Sequence, residues 1–186
     1  MSFAELFFLA VALSMDAFAI SICAGLAAQK AVAKKALIVA LHFGVFQALM
    51  PIIGYVAATQ FADSIMAYGH WIAFAVLCFL GGKMIIGSLQ QKCEKQIRFN
   101  PVYLLPLAVG TSIDALATGV SFAFLGVSIV EAVLLIGVTT FVISMAGVYI
   151  GRAFGARFQS KAELAGGIVL ILIGLKILLD YTLLSA

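Results

Sequence analysis

Six stretches of the sequence are each apolar for roughly the thickness of a lipid bilayer, and basic clusters and Gly/Pro breaks separate them. They run at about 3–28, 36–59, 68–89, 102–125, 128–151 and 163–184. A helix needs about 20 apolar residues to cross the hydrocarbon core, so this pattern restricts the chain to an all-α membrane protein of six spans. Composition agrees where it bears on the point. Charged residues make up 10% of the chain, against roughly 25% in soluble domains. With 186 residues the spans leave no room for a separate soluble domain, and a net charge of +3 is too small to suggest nucleic-acid binding.

The connections alternate in charge. The first carries Lys30, Lys34 and Lys35, the third Lys92, Lys95 and Arg98, and the fifth Arg152, Arg157 and Lys161. The second holds only Asp63 with His70, and the fourth only Glu131. Lys and Arg are retained on the cytoplasmic side, so both termini are expected on the outer, periplasmic or extracellular side. The first span mimics a signal peptide, but Met1 to Glu5 has an acid and no base, the reverse of a signal n-region. It reads as a permanent helix.

An internal repeat sets the expected architecture. A shift of 98 residues aligns Leu9–Leu26 with Leu107–Phe124 and pairs Ser14 with Ser112, Asp16 with Asp114 and Ala17 with Ala115. Lys83, in Gly81-Gly82-Lys83, falls opposite Lys176 in Gly174-Leu175-Lys176, and Gly54 opposite Gly151. Chance readily matches Leu and Ala between apolar helices. It does not readily repeat an intramembrane acid and an intramembrane base. The expected organisation is one membrane domain over 1–186. It comprises a repeat over about 1–90, a cytoplasmic linker over about 90–100 and a second repeat over about 101–186. Three helices per repeat invert the second relative to the first, as in many secondary transporters, whose substrate site lies near the midplane.

Asp16 and Asp114 sit near the middle of their spans, where a carboxylate costs about 2.5–3.5 kcal/mol and marks a functional site. Two such acids related by an inverted repeat should approach each other. Thr111 and Thr118 lie on the helical face of Asp114, with Ser121 a turn beyond. Ser14 and Ser112 stand two residues before each acid, and share a ligand with it only where the helix unwinds. Gly110 would permit unwinding, and small residues equally let helices pack closely. Carboxylates with hydroxyl and amide oxygens suit Mg²⁺, Ca²⁺ or Mn²⁺ over zinc or copper. Gln47, before Met50-Pro51, offers either a carbonyl ligand or an interhelical hydrogen bond. Met15, Met50 and Met145 read as packing residues, and His42 as interfacial. Cys23, Cys78 and Cys93 form no zinc-type spacing and read as thiols. Lys83 and Lys176 either snorkel to the nearer interface or neutralise the aspartates when the site is empty. Asp180 is the local partner for Lys176.

The run Ser14-Met15-Asp16-Ala17-Phe18-Ala19 and its echo Thr111-Ser112-Ile113-Asp114-Ala115-Leu116-Ala117 resemble the bacterial manganese efflux pump family MntP. So do Gly81-Gly82-Lys83-Met84-Ile85, Phe43-Gly44 with Gln47, Met50-Pro51 and Gly54, and His70-Trp71-Ile72-Ala73-Phe74. The resemblance spans essentially the whole chain, and implies Mn²⁺ export across the bacterial inner membrane with the paired aspartates central. It also suggests distant kinship with LysE-type exporters. The residues alone support only a hard divalent cation. The expected partners are the bilayer, the divalent ion as substrate and, as a candidate counter-ion, the proton. No cofactor, enzymatic activity or ATPase partner is expected, and no GxxxxGK[ST] motif is present. The competing readings are an exporter of another cation such as Cd²⁺ or of amino acids, and, remotely, an intramembrane aspartyl protease, whose usual GxGD motif is absent.

Overall fold

The computed structural model describes residues 2–28, 32–60, 69–89, 99–154 and 159–184. The described residues form six helices: α1 (Phe3–Ala27), α2 (Val32–Thr59), α3 (Gly69–Leu89), α4 (Pro101–Leu125), α5 (Ile129–Phe154) and α6 (Gln159–Leu184). Each predicted span coincides with one helix. The basic linkers, including Lys30, Lys92, Lys95, Arg98 and Arg157, lie largely outside the described residues, as do Asp63 and Cys93. Five helices are long and apolar enough to cross a bilayer. The apolar part of α3, Trp71–Gly87, is 17 residues long, at the lower limit for a spanning helix.

Local chemistry sets the ends. At α1 the Ser2 hydroxyl accepts the Glu5 amide while Glu5 Oε2 accepts the Ser2 amide at 2.9 Å, a reciprocal cap. Asn100 caps α4 ahead of Pro101, whose ring lacks the N–H that a first-turn residue would leave unpaired. α4 stops at Gly126, held at φ 64° in the left-handed region, where its N–H bonds the Phe122 carbonyl. Gly126→Ala is expected to cost about 1 kcal/mol, measurable as a small fall in melting temperature.

Helix α1 packs mainly on α5, α2 on α4 and α5, and α3 on α6, with lesser seams between α1 and α6 and between α3 and α4. Exchanging α1 with α4, α2 with α5 and α3 with α6 leaves this set unchanged. Glycines make the approaches close. Gly25 and Gly151 join α1 to α5, Gly54 and Gly119 join α2 to α4, and Gly81 and Gly167 join α3 to α6, backbone against backbone. Lipid tails give no hydrophobic drive between helices, so such contacts carry the association. Val130, Leu134, Val138 and Val142 recur every four residues on the outer face of α5 and are exposed, as a lipid-facing stripe requires.

Two buried apolar clusters result. One gathers Leu6, Leu9 and Leu13 of α1 with Leu77 and Leu80 of α3 and Ile136 of α5. The other gathers Ala17 and Ala24 of α1 with Val39 and Phe43 of α2 and Ala108 of α4. The polar residues lie between them.

Candidate cation site

Helix α4 carries Asp114 inward, 3% exposed, and α3 brings Lys83 to it: Lys83 Nζ donates to Asp114 Oδ1 at 2.9 Å. Lys83 also feels the Asp16 carboxylate on α1 electrostatically, more weakly than that of Asp114. A carboxylate in hydrocarbon needs such a partner, because stripping its water costs several kcal/mol. Beside this pair a cavity of about 480 Å³ opens between α3 and α4, walled by Val76, Phe79, Leu80, Ile113 and Ala117. Its walls are apolar apart from the Lys83–Asp114 pair, so a cation entering it reaches the carboxylate only by displacing the ammonium.

The other predicted residues divide into two groups. Helices α1 and α4 run unbroken through both acids, so no unwinding brings Ser14 or Ser112 onto the ligand of the neighbouring carboxylate. Ser14 turns instead to α5. Its hydroxyl donates to the Ala10 carbonyl at 2.6 Å and lies 2.8 Å from the Thr140 hydroxyl. Gln47 Nε2 donates to the Leu13 carbonyl at 2.9 Å, the interhelical bond that was one of its two readings. Thr118 stays with Asp114 and donates to its main-chain carbonyl at 2.9 Å, while Thr111 bonds the Leu107 and Ala108 carbonyls at 3.0 Å.

Lys176 lies far from either aspartate. It pairs with Glu5 at the start of α1, with Asp180 near enough to act on it electrostatically. The two lysines, equivalent in sequence, are therefore used differently. His42 pairs its ring nitrogen with the Ile38 carbonyl at 2.8 Å, and Met145 packs against the second apolar cluster. Cys23 is disulfide-bonded, which corrects the reading of it as a thiol, whereas Cys78 is free. The error has a plain source: a cysteine in an apolar run gives no local sign of a bond to a distant one.

Thr140, four residues before Ser144, escaped the sequence reading. The available signal was two hydroxyls four residues apart, on one face of an otherwise apolar helix. Among the described residues, no three His, Cys, Asp or Glu side chains are grouped to hold a metal. A divalent ion here would rest on two carboxylates with neutral oxygens or water.

The chain matches one protein family along most of its length. The family model described as "Putative manganese efflux pump" matches residues 30–178. The chain belongs to the MntP family. Relatives bearing the family's name include one from Desulfitobacterium hafniense, 53% identical over 95% of this chain and 94% of its own length. Another, from Acetivibrio thermocellus, is 50% identical over 97% of this chain and 92% of its own length. A third, from Phocaeicola vulgatus, is 46% identical over 97% and 98%. No solved structure matches the chain. MntP is by its description a family of efflux pumps and not of enzymes, which sets aside the protease reading. Membership and the six apolar helices make the chain a multi-pass membrane protein.

Proposed function

We propose that this protein exports Mn²⁺ from the cytoplasm across the bacterial inner membrane, taking the ion at Asp16 and Asp114. The observation that carries this reading is the pairing of the buried motif acid Asp114 with Lys83, a resident cation on which Asp16 also acts electrostatically and which stands where a transported one would go. Mn²⁺, a hard dication, prefers carboxylate oxygen and offers the acids twice the charge of the ammonium it displaces. Thr118 and Thr111, one helical turn either side of Asp114, have hydroxyl lone pairs left to accept from the ion's retained waters.

The same reading treats the chain as two inverted three-helix halves with both termini outside. The contact pattern that survives exchange of the halves supports it. Rocking of the halves then opens the site to each side in turn. Adjacent carboxylates raise one another's proton affinity, so protons can replace the metal on the return step.

A cell lacking its own manganese exporter provides the test. Expression of this chain is expected to restore growth in excess Mn²⁺ and not in excess Cd²⁺ or Co²⁺. Growth restored in Cd²⁺ alone would reassign the substrate, since a Cd²⁺ site favours sulfur.

A further inference from the structure

A layer of neutral oxygens lies apart from the carboxylates, where α1, α2, α4 and α5 meet. Ser14, Gln47, Ser112 and Thr140 each stand within two residues of the midpoint of their helix. On all four helices the residues toward one end join one apolar cluster and those toward the other end join the second, so these four share one level. Hydrogen bonds fix three of them together: Gln47 reaches the Leu13 carbonyl, and the next residue, Ser14, meets Thr140. Ser112 follows Ala108 by one turn as Gln47 follows Phe43, and Ala108 and Phe43 share a cluster.

This layer is sealed and under-satisfied. All four side chains are at most 1% exposed, yet Gln47 Oε1 and Ser112 Oγ have no hydrogen-bond partner. The amide cannot be turned to relieve this. The Leu13 carbonyl only accepts, so Nε2 must face it and Oε1 remains the orphan. Ser14, Ser21, Thr111, Thr118 and Ser121 donate to carbonyls three or four residues back, the usual escape for a helical hydroxyl in lipid. Ser112 and Ser144, a turn beyond Thr140, do not. Pro51 adds another acceptor. It stands four residues after Gln47 inside an unbroken α2, and having no N–H it leaves the Gln47 main-chain carbonyl without its helical donor. Because Ser14 spends its proton on Ala10, Thr140 is the donor between them, and its lone pairs stay available.

We propose that this layer binds a dehydrated monovalent cation of sodium size, at a site separate from the Asp16–Asp114 site. The oxygens are acceptors with too few donors, which calls for a positive ligand. They carry no formal charge, and desolvation cost rises with the square of ionic charge, so a dication is penalised about fourfold relative to a monovalent ion by the Born estimate. Transporters hold Na⁺ near the midplane on main-chain carbonyl oxygens, and the neutral hydroxyl and amide oxygens here are ligands of the same hard kind. The proposal builds on the reading of Asp16 and Asp114 as the Mn²⁺ site and is tested apart from it.

The test is equilibrium binding of ²²Na⁺ and, in parallel, ⁵⁴Mn²⁺ to the purified full-length protein in detergent. Wild type is expected to bind ²²Na⁺ saturably, with Li⁺ competing and K⁺ failing to compete. Gln47→Leu and Ser112→Ala should each weaken ²²Na⁺ binding about tenfold or more, since even an outer-shell partner contributes that much to a bound metal. Thr140→Ser, which keeps the hydroxyl, should preserve it and so controls for folding. The double variant Asp16→Asn/Asp114→Asn should lose ⁵⁴Mn²⁺ and keep ²²Na⁺. Wild type without saturable ²²Na⁺ binding would mean that a water fills the layer, and the proposal is overturned. Unchanged binding in Gln47→Leu and Ser112→Ala would place the ion elsewhere. Loss of ²²Na⁺ in the aspartate double variant would show Na⁺ competing at the carboxylates. Unchanged ⁵⁴Mn²⁺ binding in that variant would instead fault the manganese reading and leave the sodium result to stand by itself.

Discussion

Asparagine in place of Asp114 is expected to lower Mn²⁺ export by about 100-fold or more, and asparagine in place of Asp16 to do the same through a different balance of causes. A carboxylate within about 4 Å of a single positive charge contributes about 4 kcal/mol at an effective dielectric of 20, and more with a dication. Losing about 2.7 kcal/mol already costs 100-fold in affinity. Asp114→Asn has a second effect, because it strands Lys83, whose ammonium bonds Asp114 Oδ1 at 2.9 Å. Lys83 is half-exposed on its helix, and an ammonium left unpaired within a span costs at most about 2.5–3.5 kcal/mol, so the variant should also accumulate less well. The double variant Asp114→Asn/Lys83→Met removes the stranded charge. It is expected to restore abundance in the membrane and leave ⁵⁴Mn²⁺ efflux from preloaded cells abolished. Efflux restored together with abundance would show that Asp114 serves only the fold.

The spans and their order were legible because the bilayer reduces the problem to one dimension: an apolar run of sufficient length is a helix, and a basic break ends it. Even the boundaries fell within a few residues, helped by Pro101 and Gly126 at the ends of α4. The two aspartates stand out for the same reason, since an acid in hydrocarbon needs an explanation. Partners are another matter. Lys83 and Lys176 look alike in sequence, yet one pairs with Asp114 and the other with Glu5. The choice depends on how far α3 and α6 stand along their neighbours, a three-dimensional offset that no local pattern encodes. Ser14 was read with Asp16 because they are two residues apart. An unbroken α1 sends them to different neighbours, and Thr140, which receives Ser14, carries no charge to draw notice.

The largest effects on stability should come from single methyl groups at the helix crossings. A Cβ on Gly151 would stand 2.0 Å from the Ile22 carbonyl oxygen, and one on Gly54 would stand 2.0 Å from that of Leu116. Both obstacles are main chain, which cannot rotate away as a side chain can, so α1 and α5, or α2 and α4, must separate. In lipid this separation forfeits close packing with no hydrophobic term to replace it. Gly54→Ala and Gly151→Ala should each destabilise by about 3 kcal/mol, the upper end for overpacking, lowering the melting temperature in detergent by roughly 6–12 °C. Gly82 and Gly110 are also helical, but a Cβ at either meets nothing within 4 Å. Alanine there should be neutral or stabilising by up to about 1 kcal/mol, because it is the better helix former. If all four alanines behaved alike, backbone propensity would govern these positions and the crossings would not be the contacts that hold the bundle together. If Gly54 and Gly151 fell while Gly82 and Gly110 held, the bundle would depend on backbone-to-backbone approach at the α1–α5 and α2–α4 crossings, which flank the polar layer.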